Sequence, residues 1–172
     1  MTMAEFRPMR RRAQQLTQEE SLRILSRATS GTLALLGDDG YPYAVPLSHA
    51  CAGGRLYFHS ALEGHKIDAI RRHGKASFCV IAQDEVHGDK YTTWFCSVIA
   101  FGRIRIIEDP EEKLAAARIL GERFNPGAEE ALQSELHKGF ARMHMLRFDI
   151  EHITGKEARE LTMRREKASF TN

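Results

Sequence analysis

Hydrophobic positions change their spacing several times along the chain, and each change marks an element. Leu22, Leu25 and Ala28 share a helical face behind Thr17-Gln18-Glu19-Glu20, a capping box in which hydroxyl and carboxylate each satisfy a free backbone N–H. That helix stops at Ser30-Gly31, and Thr32 to Leu36 is a short apolar run suited to a buried strand. Gly37-Asp38-Asp39-Gly40 is a hairpin signal, leading into a second strand over Tyr41 to Ala50. Pro42 and Pro46 cannot donate to a ladder, so this strand is expected at a sheet edge or bulged. Ala52-Gly53-Gly54 turns the chain into Arg55 to Ser60, where alternation puts Leu56, Phe58 and Ser60 on one face and Tyr57 and His59 on the other.

Glu63 to Lys66 then breaks into a short helix with Ile67 and Ile70 on one face, ending near His73-Gly74. Lys75 to Ala82 reads as a fourth strand and Gln83 to Lys90 as a polar loop. Tyr91 to Glu108 is strand-like but longer than strands usually run, which predicts a bend or bulge near Gly102. Asp109-Pro110-Glu111-Glu112 supplies a cap, a proline at the first helical position and acids at the positive helix end. This helix reaches about Phe124, where Asn125-Pro126-Gly127 stops it. A further helix over 128–141 precedes a last strand near Met145 to Ile153. Mostly antiparallel β with peripheral helices suits a closed or partly closed barrel.

Composition narrows this picture. The 172 residues favour one domain with one core, and 42% hydrophobic with 28% charged residues is ordinary for a soluble globule. A net charge of +2 gives no reason to expect nucleic-acid or membrane affinity from the overall field. Cys51, Cys79 and Cys96 are odd in number and widely spaced, as expected of reduced thiols in a cytoplasmic protein. Arg7, Arg10, Arg11 and Arg12 precede no apolar stretch, so no secretory signal or membrane span is expected. Residues 1–16 read as a flexible basic arm, either solvated or touching a partner. Residues 17–158 read as the domain and 159–172 as a charged tail.

Several chemistries lack their signatures. His49, His59 and His65 lie near Cys51 but show no fixed metal-ligand spacing of the H-E-x-x-H kind, so no metal site is expected. Ser48, Ser60 and Ser97 sit in strand-like sequence and none occupies a G-x-S-x-G elbow. No Walker A loop occurs, and no G-x-G-x-x-G follows a strand. Gly64-His65-Lys66 is different: it follows a strand and opens a helix. Unpaired amides there attract anions, Gly64 permits close approach and Lys66 adds a compact positive charge, with Arg71 and Arg72 one to two turns on. Many strand-to-helix turns carry a glycine and a lysine and bind nothing, so local chemistry leaves the matter open.

A wider pattern bears on it. Gly37-Asp-Asp-Gly-Tyr-Pro-Tyr-Ala-Val-Pro-Leu-Ser48, Leu56-Tyr-Phe-His-Ser60, Glu63-Gly-His-Lys-Ile-Asp-Ala-Ile70 and Lys75-Ala-Ser-Phe-Cys-Val80 together resemble the pyridoxamine 5'-phosphate oxidase-like flavoproteins. The branch they resemble is that of the Nim 5-nitroimidazole resistance proteins. Ser97 to Arg105 and Thr154-Gly155-Lys156 are similar to the same branch, and the resemblance runs from about Met9 to Lys156.

The resemblance implies a mainly β fold: a six-stranded antiparallel split β-barrel that dimerises, with two flavin sites at the interface. FMN is the usual cofactor, and some relatives hold FAD. By the same resemblance Val45, Pro46, Leu47 and Ser48 run along the flavin ring, while His59, Ser60 and Ala61 through Gly64, His65 and Lys66 gather the phosphate. The strand carrying Trp94, Ser97 and Val98 is expected to contribute from the partner subunit, and His59 matches a histidine linked to the redox site, which makes it the catalytic candidate. Plainer roles stand beside these: Lys66 capping a turn, His65 facing solvent, Trp94 packing an interface, Ser48 and Ser97 satisfying strand edges. The implied activity is an FMN-dependent oxidoreductase that takes hydride from NAD(P)H and reduces a small acceptor such as a nitroimidazole. The alternative is a flavin- or haem-binding module without turnover. The tail over 159–172 lacks the arginine- and histidine-rich substrate motif of true pyridoxamine phosphate oxidases, which argues against vitamin B6 oxidation.

Overall fold

The computed structural model of the chain describes residues 6–169. Its strands are β1 (Gln15–Leu16), β2 (Ser30–Leu36), β3 (Pro42–Ser48), β4 (Ala50–Ala52), β5 (Arg55–Ala61), β6 (Lys75–His87), β7 (Thr92–Ile106) and β8 (Met143–Glu157). The helices are α1 (Gln18–Arg27), α2 (His65–Arg72), α3 (Pro110–Phe124), α4 (Glu129–Gly139) and α5 (Arg159–Ser169). All strand pairs are antiparallel, in the order β3-β2-β6-β7-β8-β5-β4, with β1 added beside β8. The six expected strands are the long ones; β1 and β4, of two and three residues, are additions.

One residue, His49, separates β3 from β4, yet these strands lie at opposite ends of the order. The sheet therefore curls until its two edges meet at His49, which makes it a barrel, split where β3 runs on without a partner on its outer side. Pro42 and Pro46 fall on this terminal strand, where a missing N–H costs least. Leu33, Leu56, Phe58, Phe78, Val80, Val98 and Phe148 fill the barrel, and Leu25 of α1 and Ile67 of α2 plug it. A second cluster of Tyr57, Ile107, Ala116, Ala117 and Met145 lies outside the barrel, under α3.

The predicted bulge is present: the β7–β8 register shifts between Phe101 and Gly102, leaving Glu151 as the extra residue on β8. A Cβ at Gly102 would lie 2.0 Å from the Asp149 carbonyl oxygen, so β8 crosses too close for any other residue. The capping box is also present, with the Glu20 amide donating to Thr17 Oγ1 at 3.2 Å and the Thr17 amide donating to Glu20 Oε2 at 2.8 Å.

Three elements run beyond their sequence boundaries. The polar stretch expected as a loop after Ala82 continues β6 to His87, pairing Asp84, Glu85 and Val86 with Phe95, Trp94 and Thr93. Strand β8 starts earlier and ends later than the last strand was expected to. The charged tail begins as α5. Within the basic arm, Phe6 stacks on His152 with ring centroids 4.5 Å apart, and β1 pairs with β8. The arm's first five residues and the last three of the tail lie outside the described residues.

Candidate functional site

The chain leaves β5 at Ala61 and enters α2 through Gly64, whose φ of 119° is open only to glycine at low cost. A Cβ there would meet nothing within 4 Å, so the glycine serves backbone conformation rather than space. The amides of Ile67 and Asp68 bond the Gly64 carbonyl at 2.9 and 3.1 Å. Those of His65 and Lys66 lie ahead of the first helical bond and have no intrahelical acceptor. The Lys66 side chain is half-buried, and burial pushes its ammonium below the ordinary pKa. It makes no hydrogen bond or ion pair with any described residue. A desolvated cation beside free amides is what an anion needs.

Two contacts fix this turn against the β2–β3 hairpin. His65 stacks on Tyr43 of β3 at 4.0 Å between centroids, and its Nε2 lies 3.6 Å from the Asp38 carboxylate. Arg72, seven residues on and on the same face of α2, pairs with the other Asp38 oxygen. One carboxylate thus holds both ends of α2 and sets the Gly64–Lys66 turn beside the start of β3. On β3, Val45 and Leu47 pack on the barrel core while Pro46 and Ser48 face outward. Of the β5 residues, Ser60 is buried and Ala61 exposed.

His59 points away from the barrel interior. It lines a cavity of about 440 Å³ between β5, β8 and the α3–α4 hairpin, with Leu120, Phe124, Leu136, Met143 and Met145 among its walls. A Cβ on Gly121 would approach Leu132 to 2.7 Å, so glycine there lets α3 and α4 close over the cavity. Among the described residues, only His59 and Glu135 bring charge-bearing chemistry to this apolar slot.

The β7 candidates lie elsewhere within the protomer. Ile104 bonds Gly74 just beyond α2, and Trp94 is ten residues along the strand from it, on the order of 33 Å. Trp94 is buried with its ring 3.9 Å from His87 and under the Arg164 guanidinium of α5 at 4.1 Å, and its Nε1 has no partner among the described residues. Ser97 faces outward between Ile81 and Lys156. The Val98 side chain is wholly inside the barrel. The structure therefore gathers Gly64, His65 and Lys66 with β3, sends His59 to a separate cavity, and leaves Trp94, Ser97 and Val98 at a distance from both. Tyr43 and Asp38 carried no sequence signal for this site, because their role appears only when α2 folds back on the hairpin; Arg72, expected near the turn as an added positive charge, is instead paired with Asp38. Among the described residues, no group of three His, Cys, Asp or Glu side chains is placed to hold a metal ion.

No curated protein matches the sequence. Among solved structures, a protein described as a candidate 5-nitroimidazole antibiotic resistance protein from Bacteroides thetaiotaomicron shares 21% identity. The match covers 83% of this chain and 85% of that one, with a TM-score of 0.68. An FAD- and haem-binding protein from Mycobacterium smegmatis aligns at 23% identity over 84% of this chain and 73% of its own, with a TM-score of 0.72. An FAD-binding protein from Mesorhizobium loti aligns at 25% identity over 83% and 94%, with a TM-score of 0.59. These likenesses show the fold. The family model described as pyridoxamine 5'-phosphate oxidase matches residues 17–157, from the α1 cap to the end of β8, and the chain belongs to that family.

Proposed function

We propose that the chain is a flavin-dependent oxidoreductase that works as a homodimer in the cytoplasm, taking hydride from NAD(P)H and passing electrons to a small acceptor such as a nitroimidazole. The observation that carries this reading is Lys66: a half-buried ammonium without an acidic partner, beside two free helix amides, on a fold whose solved relatives include FAD-binding proteins. Lys66 and the His65 and Lys66 amides would hold the flavin phosphate, of FMN by the family habit, while Val45 to Ser48 would position the ring. The bound flavin supplies the hydride chemistry. The chain supplies binding, orientation and exclusion of water, and His59 would act in the redox step only where the bound flavin ring borders its cavity. Ile81 and Ile99 stand exposed at 69% and 37% on the outer sheet face shared with Ser97, which fits a partner subunit covering that face. Free Cys51, Cys79 and Cys96 suit a reducing compartment.

Denaturing purified protein and identifying the released cofactor by mass tests the flavin. Bleaching by NADPH under anaerobic conditions and recolouring by a nitroimidazole tests the turnover. A Lys66→Ala change removes one charge-assisted contact of roughly 1.5–3 kcal/mol and should raise the flavin Kd ten- to a hundredfold. A colourless protein that does not quench flavin fluorescence on titration removes the reading. A second reading, a haem-binding module, draws on His59 alone in an apolar slot beside Met143 and Met145. It requires a Soret band on hemin titration that His59→Ala abolishes.

A further inference from the structure

Strand β8 ends at Glu157 and α5 begins at Arg159, so the helix lies over the barrel end where β7 carries Trp94 and Cys96. Its joint is fixed: Ala158 is buried and its amide donates to the Phe95 carbonyl at 2.8 Å. Past the joint the packing is thin. Over 159–165 no α5 side chain is buried; Leu161 and Thr162 are half-buried and Met163 is exposed. Among the described residues, α5 gives none to either core cluster. A helix of 11 residues with no face on a core does not hold by propensity, so its contacts hold it.

Those contacts centre on one guanidinium. Arg165 pairs with Glu20, in the first turn of α1, at 2.7 Å and with Glu157 at 2.9 Å. Thr162 Oγ1 donates to the same Glu157 oxygen at 2.8 Å, and the Arg164 guanidinium lies 4.1 Å over the Trp94 ring. The Arg165 side chain is 46% exposed, and ion pairs open to water are weak and screened by salt. Release of the helix leaves no charge buried without a partner. Water that replaces Arg165 solvates Glu157, and it reaches Trp94 Nε1, which has no partner among the described residues. What α5 covers is apolar and reactive: Trp94 and Cys96, two apart on one face of β7, are both buried.

We propose that α5 is a salt-labile strap that pivots at Ala158 and opens as a unit while the barrel stays folded, uncovering Trp94 and the Cys96 thiol. Local opening of this kind is expected where few apolar contacts tie an element to its core. The barrel has no need of α5, because its interior is filled from the strands and plugged by α1 and α2. The strap is separate from the Gly64–Lys66 turn and does not depend on the flavin reading.

Trp94 is the only tryptophan, so its emission reports the strap in the full-length protein. Raising NaCl from about 0.05 M to about 1 M should shift that emission to the red with an unchanged circular dichroism spectrum. In urea the red shift should be complete before the strand signal is lost. Constant emission in salt, or coincident urea midpoints, overturns the proposal. Thiol reactivity gives a second readout, in a Cys51→Ser/Cys79→Ser background treated with dithiobis(nitrobenzoate). Burial, Glu157 and Glu20 hold the Cys96 thiol above its ordinary pKa, and Arg165 opposes them. Under a helix that stays shut, Arg165→Gln therefore raises that pKa further and slows the reaction. Under a strap that opens, the same variant should speed it at least about fivefold, with Arg165→Lys between it and the parent. A slower or unchanged reaction of Arg165→Gln overturns the proposal, as does a faster one accompanied by loss of the strand signal.

Discussion

His49 stands where the barrel closes, and its protonation should couple acid to unfolding. Its side chain is wholly buried, stacked edge-on to Phe78 at 4.8 Å and near Phe58. Nε2 lies 2.8 Å from the Leu25 carbonyl oxygen, which can only accept, so Nε2 carries the proton and Nδ1 is left as a bare buried acceptor. A second proton would have to sit on Nδ1 with nothing to receive it. Burial accordingly pushes the pKa below the ordinary 6.5; the Arg123 charge pushes the same way, and the Leu25 carbonyl pulls partly back. With the folded pKa depressed, the unfolded chain binds more protons below 6.5. The stability from neutral His49 is therefore complete above that pH and lost as pH falls toward the folded pKa. The loss approaches about 1.4 kcal/mol per pH unit in that window. Burial and the charges of Arg71 and Lys113 also depress His144, which adds loss of the same sign, so the wild-type slope alone does not isolate His49. His49→Gln does: the amide can still donate to Leu25 and does not titrate. Urea unfolding of apoprotein at fixed concentration and pH 8, 6.5, 5.5 and 5 should show wild-type losing stability faster than the variant below 6.5. Parallel pH profiles for the two proteins would refute the assignment.

Three further outcomes follow from single residues. Thr17→Ala removes the hydroxyl that caps α1 and should cost about 1 kcal/mol, read by denaturant unfolding with an unchanged m-value. Gly102→Ala forces a methyl toward the Asp149 carbonyl and should cost at least about 1–3 kcal/mol, with a lowered Tm; an unchanged Tm would mean that β8 does not cross there. Gly64→Ala has room for its methyl but not the conformation, so about 1–3 kcal/mol of strain should be relieved by moving the turn. Flavin affinity should then fall more than overall stability, as fluorescence quenching and urea unfolding measured side by side would show.

What the sequence revealed and what it hid divide along a physical line. Signals that depend on a few neighbouring residues were legible. The Thr17–Glu20 box, the Asp109-Pro110 helix start, the prolines of β3 and the bulge at Gly102 each follow from local backbone chemistry. The extension of β6 was not, because Gln83 to His87 form a ribbon with β7 beyond the barrel, where neither face meets a core and alternation has nothing to record. Val86, at 75% exposure, shows how little burial that ribbon has. Likewise, nothing in Arg159 to Ser169 announces a core-facing helix. Among the described residues, polar and electrostatic contacts tie α5 down: Arg164 over Trp94, Thr162 with Glu157, and Arg165 with Glu20 and Glu157.

The same division runs through the site. Gly64 and Lys66 were readable because a positive φ and a helix start are local requirements, and the family pattern made them worth notice. Their orientation was not, since it is set by Asp38, which sits in a hairpin turn more than twenty residues earlier. Asp38 meets His65 and Arg72 together only because those two residues are seven apart, two helical turns, and so share a face of α2. A helix of eight residues is too short to hold its own direction in water, so its register on the barrel has to come from such contacts and from buried Ile67 and Ile70. The proposed anion-binding turn is thus a local motif aimed by a distant carboxylate. Its chemistry is written in three consecutive residues and its placement in the fold.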